Sequence, residues 1–221
     1  MRAGPRVRFA MVAVLLGLAA LAPSRSAADD GFDGLVKGND PGQFELVGIE
    51  PETLKIVDGE ITVTGTPNGY FASKESYRNY TLRFDWKYDR PEGLTDDARF
   101  RGNSGLLLHI QKPHKVWPKS IEVQLLHADA GHAFAIFGAK LVGMKDARAQ
   151  KQALKPVGQW NQMEVTCQDG RVSCLINGVE VSRGTGAMPE SGQIGWQSEG
   201  GPVRFRRIRI KVLSPSSKSS S

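Results

Sequence analysis

The feature that most constrains this chain is a series of short alternating runs between residues 160 and 181. Trp160–Cys167 is followed by Asp169-Gly170, Val172–Ile176 by Asn177-Gly178, and Val179–Val181 then returns. Asp-Gly and Asn-Gly between alternating runs are strong signals for tight hairpin turns. The spacing therefore predicts a three-stranded antiparallel meander.

The same pattern fills most of the chain. Asp58-Gly59 separates two further alternating runs and predicts another hairpin, and the parity of the final run shifts at Arg206-Arg207, which predicts a bulge. Further strand-like runs cover residues 70–74, 80–87, 105–110, 120–126, 193–197 and 203–213. We expect residues 89–101 to form a loop, 127–146 a loop with one short strand, and 147–155, despite some helical character, a loop over the sheet. Many short strands without helices predict an all-β fold, an antiparallel β-sandwich of the jelly-roll type with a concave sheet.

Three segments are expected along the chain. Residues 1–28 combine Arg2, Arg6 and Arg8 with an apolar run from Phe9 to Leu21 and small residues at 26–28, which predicts a secretory signal cleaved after Ala28. A retained membrane anchor is the alternative. Residues 29–213 form a single β-sandwich domain, and the Ser-rich residues 214–221 form a disordered tail. The mature protein is expected to be secreted or periplasmic, without a stable membrane anchor.

Charge argues against a nucleic-acid partner. The net charge is +6, and removing the four arginines of the first 28 residues leaves +2. Arg204, Arg206, Arg207, Arg209 and Lys211 cluster near the C-terminus, but they alternate with apolar residues, which is typical of a solvated strand face. The sequence does not indicate an oligomeric state.

The stretch from Arg101 to Leu126 carries the candidate site. If its two strands are neighbours, alternation places Asn103, His109, Glu122 and Gln124 on one sheet face, opposite Leu106, Leu108 and Ile110. Glycines at 102 and 105 would let a ligand approach the backbone. A carboxylate, two amides and an imidazole suit a polyhydroxylated ligand. The solvated outer face of a sheet alternates in the same way and is the competing interpretation.

Cys167 and Cys174 flank the Asp169-Gly170 turn at the same parity. Export would permit a disulfide, and two buried free thiols are equally compatible with the pattern. No Cys/His cluster has zinc spacing, because the four histidines lack a paired cysteine.

An ordered set of motifs then resembles one family. The motifs are Gly69–Lys74, Arg101–Gly105, Ser120–Leu125, Gly158–Asn161, Ile176–Val179, Gly195–Gly200 and Phe205–Ile210. Together they resemble the 3-keto-disaccharide hydrolase domain, over roughly residues 31–213. The resemblance implies a concanavalin A-like lectin/glucanase sandwich that acts on an oligosaccharide or glycoside oxidised to a ketone at C3, by hydrolase or lyase chemistry. His109 and His132 depart from the family pattern, in which Arg and an acidic residue are common.

A 3-keto group acidifies the C2 proton, so a base can remove it while the glycosidic oxygen leaves from C1. Glu122 is the candidate base, and Glu199 and His109 are candidate acid or base groups. The candidate substrate-binding residues are Lys74, Arg101, Asn103 and Gln124. No cofactor is certain, although Glu122, His109, Glu199 and His132 are a possible set of ligands for a divalent metal ion.

Two alternatives to this enzyme remain. One is a non-catalytic, lectin-like carbohydrate-binding module of the same fold, since fold alone does not determine function. The other is a retaining glucanase, which needs two carboxylates about 5 Å apart. The residue beside Glu122 on its strand face is Gln124, so the local carboxylate pair is missing, which counts against the glucanase.

Overall fold

The computed structural model describes Met1 and residues 31–216. Apart from Met1, the predicted signal segment 1–28 lies outside the described residues, as do residues 217–221 of the predicted tail. Within the described part of the chain, no helix has both the length and the apolar character required to cross a bilayer.

Residues 31–216 are built almost entirely of strands. The fifteen strands are β1 (Asp33–Gly34), β2 (Glu45–Val47), β3 (Leu54–Val57), β4 (Glu60–Val63), β5 (Gly69–Ala72), β6 (Tyr80–Tyr88), β7 (Gly105–Ile110), β8 (Ser120–Gln124), β9 (Ala133–Ile136), β10 (Lys140–Lys145), β11 (Asn161–Gln168), β12 (Arg171–Ile176), β13 (Val179–Met188), β14 (Gln193–Ser198) and β15 (Val203–Val212). The helical elements are α1 (Ala147–Ala153) and 3-10 turns at Pro41–Gln43, Pro51–Thr53, Asp97–Arg99 and His127–Asp129.

The strands form two antiparallel sheets, as the sequence predicts. The larger sheet has the order β10-β13-β12-β11-β6-β15-β4-β3, with β1 paired to β15, and the smaller has the order β2-β5-β14-β7-β8-β9. Each sheet contributes alternate side chains to a shared core, in which Phe71 and Trp196 of the smaller sheet stack at 5.4 Å and Phe84 of the larger packs edge-on to Trp196 at 6.0 Å. The all-β sandwich is confirmed.

The predicted turns and bulge are also confirmed. Asp58, Asp169 and Asn177 have positive φ and each precedes a glycine with positive φ, as tight hairpins of this twist require. In β15 the pairing with β6 shifts between Arg206 and Arg209, and Arg207 has φ 52°. This bulge turns both Arg206 and Arg207 toward the carboxylate of Asp85, which is 1% exposed.

Two predicted loops contain more regular structure. Residues 127–146 hold two strands, β9 and β10, where one was expected, and these strands belong to different sheets. Residues 147–153 form helix α1, because the side chain of Asp146 accepts hydrogen bonds from the backbone N–H groups of Arg148 and Ala149. The predicted loop at 147–155 is therefore wrong.

The predicted face of His109 is also wrong. His109 has φ 58°, and the pairing of β7 with β14 shifts between Gln193 and Gly195. Strict alternation therefore breaks before the strand ends, so that Ile110 shares a face with Leu107 rather than with Leu106 and Leu108. The His109 ring lies edge-on to Tyr80 of the larger sheet, 5.8 Å between centroids, on the side that faces the core.

The cysteines are buried free thiols in the structure. Cys174 is aligned with Val165 and Cys167 with Val172, so the two residues are diagonal rather than directly opposed. Burial raises the pKa of each thiol to about 12. Of the two arrangements that the sequence permits, the structure has the thiols.

Candidate functional site

The candidate site lies on the face of the smaller sheet that points away from the larger sheet. In β8, Ile121 and Val123 are fully buried in the core, so Glu122 between them faces outward. Its backbone neighbours across the sheet are Leu107 on β7 and Phe134 on β9, and Glu122 is only 7% exposed. A carboxylate buried this deeply requires compensating polar partners.

The first partner comes from β14. Because Ile194 and Trp196 belong to the core, Gln197 faces outward, and its Nε2 donates a hydrogen bond of 3.4 Å to Oε2 of Glu122. The backbone of Gly105 lies beneath this contact. A Cβ at position 105 would lie 2.1 Å from Oε1 of Gln197 and 2.8 Å from Oε1 of Glu122. Glycine is therefore required at position 105, but the space above its backbone holds the side chains of Gln197 and Glu122 rather than the open approach for a ligand that the sequence predicts.

A second carboxylate reaches the site from the loop after β14. Glu199 forms an isolated antiparallel bridge with Asn103, the residue that precedes the β7 segment by two positions. The Asn103 side chain also hydrogen bonds to Glu199, and both residues are half-buried. The bridge thus places Glu199 and Asn103 just before the start of β7, where the charge of Glu199 acts on Glu122.

The two carboxyl groups influence each other electrostatically. Burial raises the pKa of Glu122 to about 7, with a further contribution from the charge of Glu199, while the hydrogen bond from Gln197 opposes the shift. Burial likewise raises the pKa of Glu199, and the hydrogen bond with Asn103 opposes it. A carboxyl with a pKa of about 7, such as that of Glu122, can accept or release a proton near neutral pH.

This pairing bears on the glucanase alternative. The sequence argument against it is that Gln124, the residue beside Glu122 on its strand face, is not acidic, so the local carboxylate pair is missing. The carboxylate that acts on Glu122 is that of Glu199, 77 positions further along the chain and already a candidate acid or base group from sequence. The missing local pair therefore does not by itself exclude a site with two carboxylates.

Gln124 and Arg101 lie near this cluster in different ways. Gln124 is aligned with Gly105, but its Oε1 accepts from the backbone N–H groups of Leu125 and Leu126 at 2.9 and 2.8 Å, so this oxygen already caps a turn. Arg101 is exposed and lines a cavity of about 560 Å³ together with Gly102 and Gly200. Its Nη1 donates to the carbonyl of Ala98 at 2.7 Å. The lining of this cavity does not include Glu122.

The structure does not bring Lys74 or His109 to Glu122. Lys74 is exposed, and its Nζ donates to the carbonyl of Gly42 at 2.6 Å. His109 is 2% exposed, and its Nδ1 lies 3.0 Å from the carbonyl oxygen of Pro189. Burial lowers the pKa of His109.

The proposed metal set does not converge. His109 faces the core. Nδ1 of His132 lies 3.2 Å from Oδ2 of Asp129, and Lys145 donates to Oδ1 of the same carboxylate. Across residues 31–216, no group of three or more His, Cys, Asp or Glu side chains is arranged to hold a metal ion. The residues Glu122, His109, Glu199 and His132 therefore do not fit a shared ion.

Sequence reasoning missed Gln197 and Tyr70. Gln197 and Tyr70 are aligned on neighbouring strands, both are 0% exposed, and Oε1 of Gln197 and the hydroxyl of Tyr70 have no hydrogen-bond partner among the described residues. Asn103 has a third unpaired buried oxygen, Oδ1. The parity of Ile194 and Trp196 already placed Gln197 on the outer face, and this signal would have identified it.

Comparisons with known proteins agree with the fold and the motifs. Residues 28–211 match the family model of the 3-keto-alpha-glucoside-1,2-lyase-like domain. A search of curated proteins finds no match. A protein of Parabacteroides distasonis ATCC 8503, provisionally classed as a glycosyl hydrolase, has a similar crystal structure with 22% identity and a TM-score of 0.63, covering 83% of this chain and 94% of that one.

Two further structures share the fold. A second protein of Parabacteroides distasonis ATCC 8503, classed in the same way, has 20% identity and a TM-score of 0.60, with 82% of this chain and 99% of that one covered. The carbohydrate-binding module CBM66 from Bacillus subtilis has 14% identity and a TM-score of 0.53, with 76% and 95% covered. Since the family model spans most of the chain and the sandwich and motifs agree with it, this protein belongs to the carbohydrate-active family of the 3-keto-alpha-glucoside-1,2-lyase-like domain.

Proposed function

We propose that this protein is exported and cleaves the glycosidic bond of 3-keto-glycosides, with Glu122 as the base that removes the C2 proton. The observation that carries the proposal is the electrostatic pairing of the buried carboxyl of Glu122 with that of Glu199, on the outer side of the smaller sheet. The pKa of Glu122, raised to about 7, suits a group that must accept a proton at neutral pH and release it afterwards.

The reaction follows from the acidity of a proton next to a ketone. Glu122 takes the proton from C2, and the electrons of that bond pass through an enolate to form the C1=C2 double bond. The bond between C1 and the glycosidic oxygen breaks, and Glu199 gives a proton to the departing oxygen. Addition of water to the resulting unsaturated ketone would complete a net hydrolysis, whereas release of the ketone would be a lyase reaction.

Asn103 is the candidate for holding the substrate oxygens. It lies beside Glu199, and its buried Oδ1 is unpaired, so this oxygen would accept from a sugar hydroxyl once the residues that cover it move aside. Of the other predicted substrate-binding residues, Lys74 and Gln124 already make hydrogen bonds within the protein. We assign His109 no role, since it faces the core.

The test compares a 3-keto-disaccharide with its unoxidised parent. We expect cleavage of the oxidised sugar alone, slowed when C2 carries deuterium, and loss of turnover in Glu122→Gln. Glu180→Gln is the matched control, because Glu180 is an exposed strand glutamate of the other sheet. Full turnover by Glu122→Gln would remove Glu122 as the base, and cleavage of the parent sugar would favour a glucanase.

The second candidate is a sugar-binding module without activity. The likeness in fold to CBM66 favours it. Calorimetric binding of the 3-keto-disaccharide without any product after long incubation would support this candidate over the enzyme.

A further inference from the structure

We propose that Gln197 is a positioning residue that holds the carboxylate of Glu122 in place, through a contact that exists only because residue 105 is glycine. The inference rests on the proposed function in one respect, namely that Glu122 is the base whose position matters. It adds Gln197 to the proposed site, as a residue that acts through Glu122.

The contact depends on three strands of the smaller sheet. Gln197 extends from β14 over the backbone of Gly105 on β7 and reaches Glu122 on β8, where its Nε2 donates to Oε2 at 3.4 Å. The position of a Cβ at residue 105 would fall 2.1 Å from the Gln197 side chain and 2.8 Å from that of Glu122. Any other residue at 105 would therefore displace both.

This arrangement has a cost that packing does not explain. Gln197 is 0% exposed, and its Oε1 has no hydrogen-bond partner in the described part of the chain. A buried acceptor without a donor is less favourable than an apolar side chain of the same shape. Buried polar groups are normally hydrogen bonded, and exceptions are expected at functional sites. Because the unpaired Gln197 lies next to carboxylates, we expect it to serve function rather than stability.

Besides burial, the groups that act on the pKa of Glu122 are Glu199 and Gln197. The residues aligned with Glu122 on the flanking strands are Leu107 and Phe134, which are uncharged. His132 packs its ring 5.3 Å from Phe134, and its Nδ1 faces Asp129. The donor that favours the ionised form of Glu122 is therefore Gln197, whose hydrogen bond lowers the pKa that burial raises.

Gln197→Met removes the donor and keeps the length of the side chain. We expect the acid limb of the kcat/KM profile to move to higher pH, so that kcat/KM falls about three- to tenfold at pH 6 and changes little at pH 9. The melting temperature at pH 5 should stay the same or rise, because the unpaired Oε1 is gone. A residue that served packing alone would lower the melting temperature and leave the pH profile in place.

Gly105→Ala tests the same contact from the other side. It should shift the profile in the same direction as Gln197→Met, with a larger loss, because Glu122 itself is displaced. Gly195→Ala is the matched control, since its Cβ would meet Ile110 and the Phe71 carbonyl at 2.8 and 3.0 Å, and not the carboxylates. This control should lower the melting temperature without moving the acid limb.

A direct measurement separates this inference from the proposed function. Carbon-13 NMR of labelled glutamate side chains, with the Glu122 signal assigned by its loss in Glu122→Gln, gives the titration midpoint of Glu122 without any substrate. We expect a higher midpoint in Gln197→Met than in the parent protein. An unchanged midpoint together with a lower melting temperature would overturn the positioning role, whereas absence of turnover by the parent protein would overturn only the proposed function.

Discussion

A single buried carboxyl, that of Glu122, links stability and chemistry in this fold. It is 7% exposed, next to a second carboxylate, and its pKa is raised from 4.5 to about 7. Such a group binds a proton more tightly in the folded than in the unfolded chain. Its ionisation therefore destabilises the fold, which predicts a specific dependence of stability on pH.

Glu122→Gln should stabilise the protein at alkaline pH and not at acidic pH. Between the unfolded and folded pKa values, about 4.5 and about 7, the folded state retains a proton that the unfolded state loses, so stability falls as pH rises through this window. The amide cannot ionise, so the variant should gain about 1–3 kcal/mol in the free energy of unfolding at pH 8. Urea denaturation at pH 4 and pH 8 checks this, and an equal difference at both would contradict it.

Glu199→Gln should move the acid limb of the activity profile to lower pH. The charge of Glu199 helps to raise the pKa of Glu122, so its removal lets Glu122 ionise more readily. If Glu199 donates the proton to the leaving oxygen, the plateau should also fall, by about 10²- to 10⁴-fold. The measurement is kcat/KM from pH 5 to 9, with Glu180→Gln as the control. A limb that stays in place would show that the two carboxyls do not interact.

At the residue scale, the sequence predicts that Glu122 leaves the core and offers Glu199 as a candidate acid, but it does not show that Gln197 and Glu199 come near Glu122. Alternation in β8 alone predicts that Glu122 leaves the core, and it does. Gln197 and Glu199 lie more than 70 positions away, and only strand pairing brings them close. Pairing between distant strands is set by the whole core, so no local pattern contains it.

Single elements show where alternation holds and where it breaks. The meander β11–β13 forms as its turn residues predict, because the Asp-Gly and Asn-Gly pairs adopt the positive φ that such hairpins require. In β7 the left-handed conformation of His109 changes which sheet face the residues around it occupy. A single histidine in the sequence does not predict this conformation. Helix α1 has only seven residues, too few for a clear helical period, so its main signal in the sequence is the N-cap residue Asp146.

The meander carries a prediction about its thiols. Cys167 and Cys174 are diagonal and fully buried, with pKa values raised to about 12. Neither should react with a thiol reagent in the native protein, because the thiolate is the reactive form. Two thiols should appear after denaturation without reductant. The absence of thiols after denaturation would show a disulfide instead.

For the whole molecule, the family assignment and the sandwich were accessible from sequence because they depend on many motifs at once. Each motif is weak alone, but their order and spacing extend from Gly69 to Ile210, and the family match covers residues 28–211. The structure does not test the predicted mature N-terminus, since residues 2–30 lie outside the described part. The first strand, β1, begins at Asp33 and pairs with β15.

If the protein is exported as proposed, the mature chain should begin at Asp29. Cleavage after Ala28 leaves β1 intact, so the mature chain retains its pairing with Ile210 and Arg209. Mass spectrometry of protein recovered from outside the cytoplasm measures the mature terminus directly. A bulky residue in place of Ala28 should block this cleavage, and recovery of the full-length chain from the membrane fraction would support a retained anchor.

The position of β14 has a consequence for how the protein is made. This strand, among the last in the chain, inserts between β5 and β7, and it brings Gln197 and Glu199 to a glutamate synthesised about 75 residues earlier. Until its C-terminal portion emerges from the ribosome, a nascent chain has an unfilled gap in one sheet and lacks Glu199, the proposed acid. Premature termination before residue 199 is therefore expected to abolish the proposed activity rather than to weaken it.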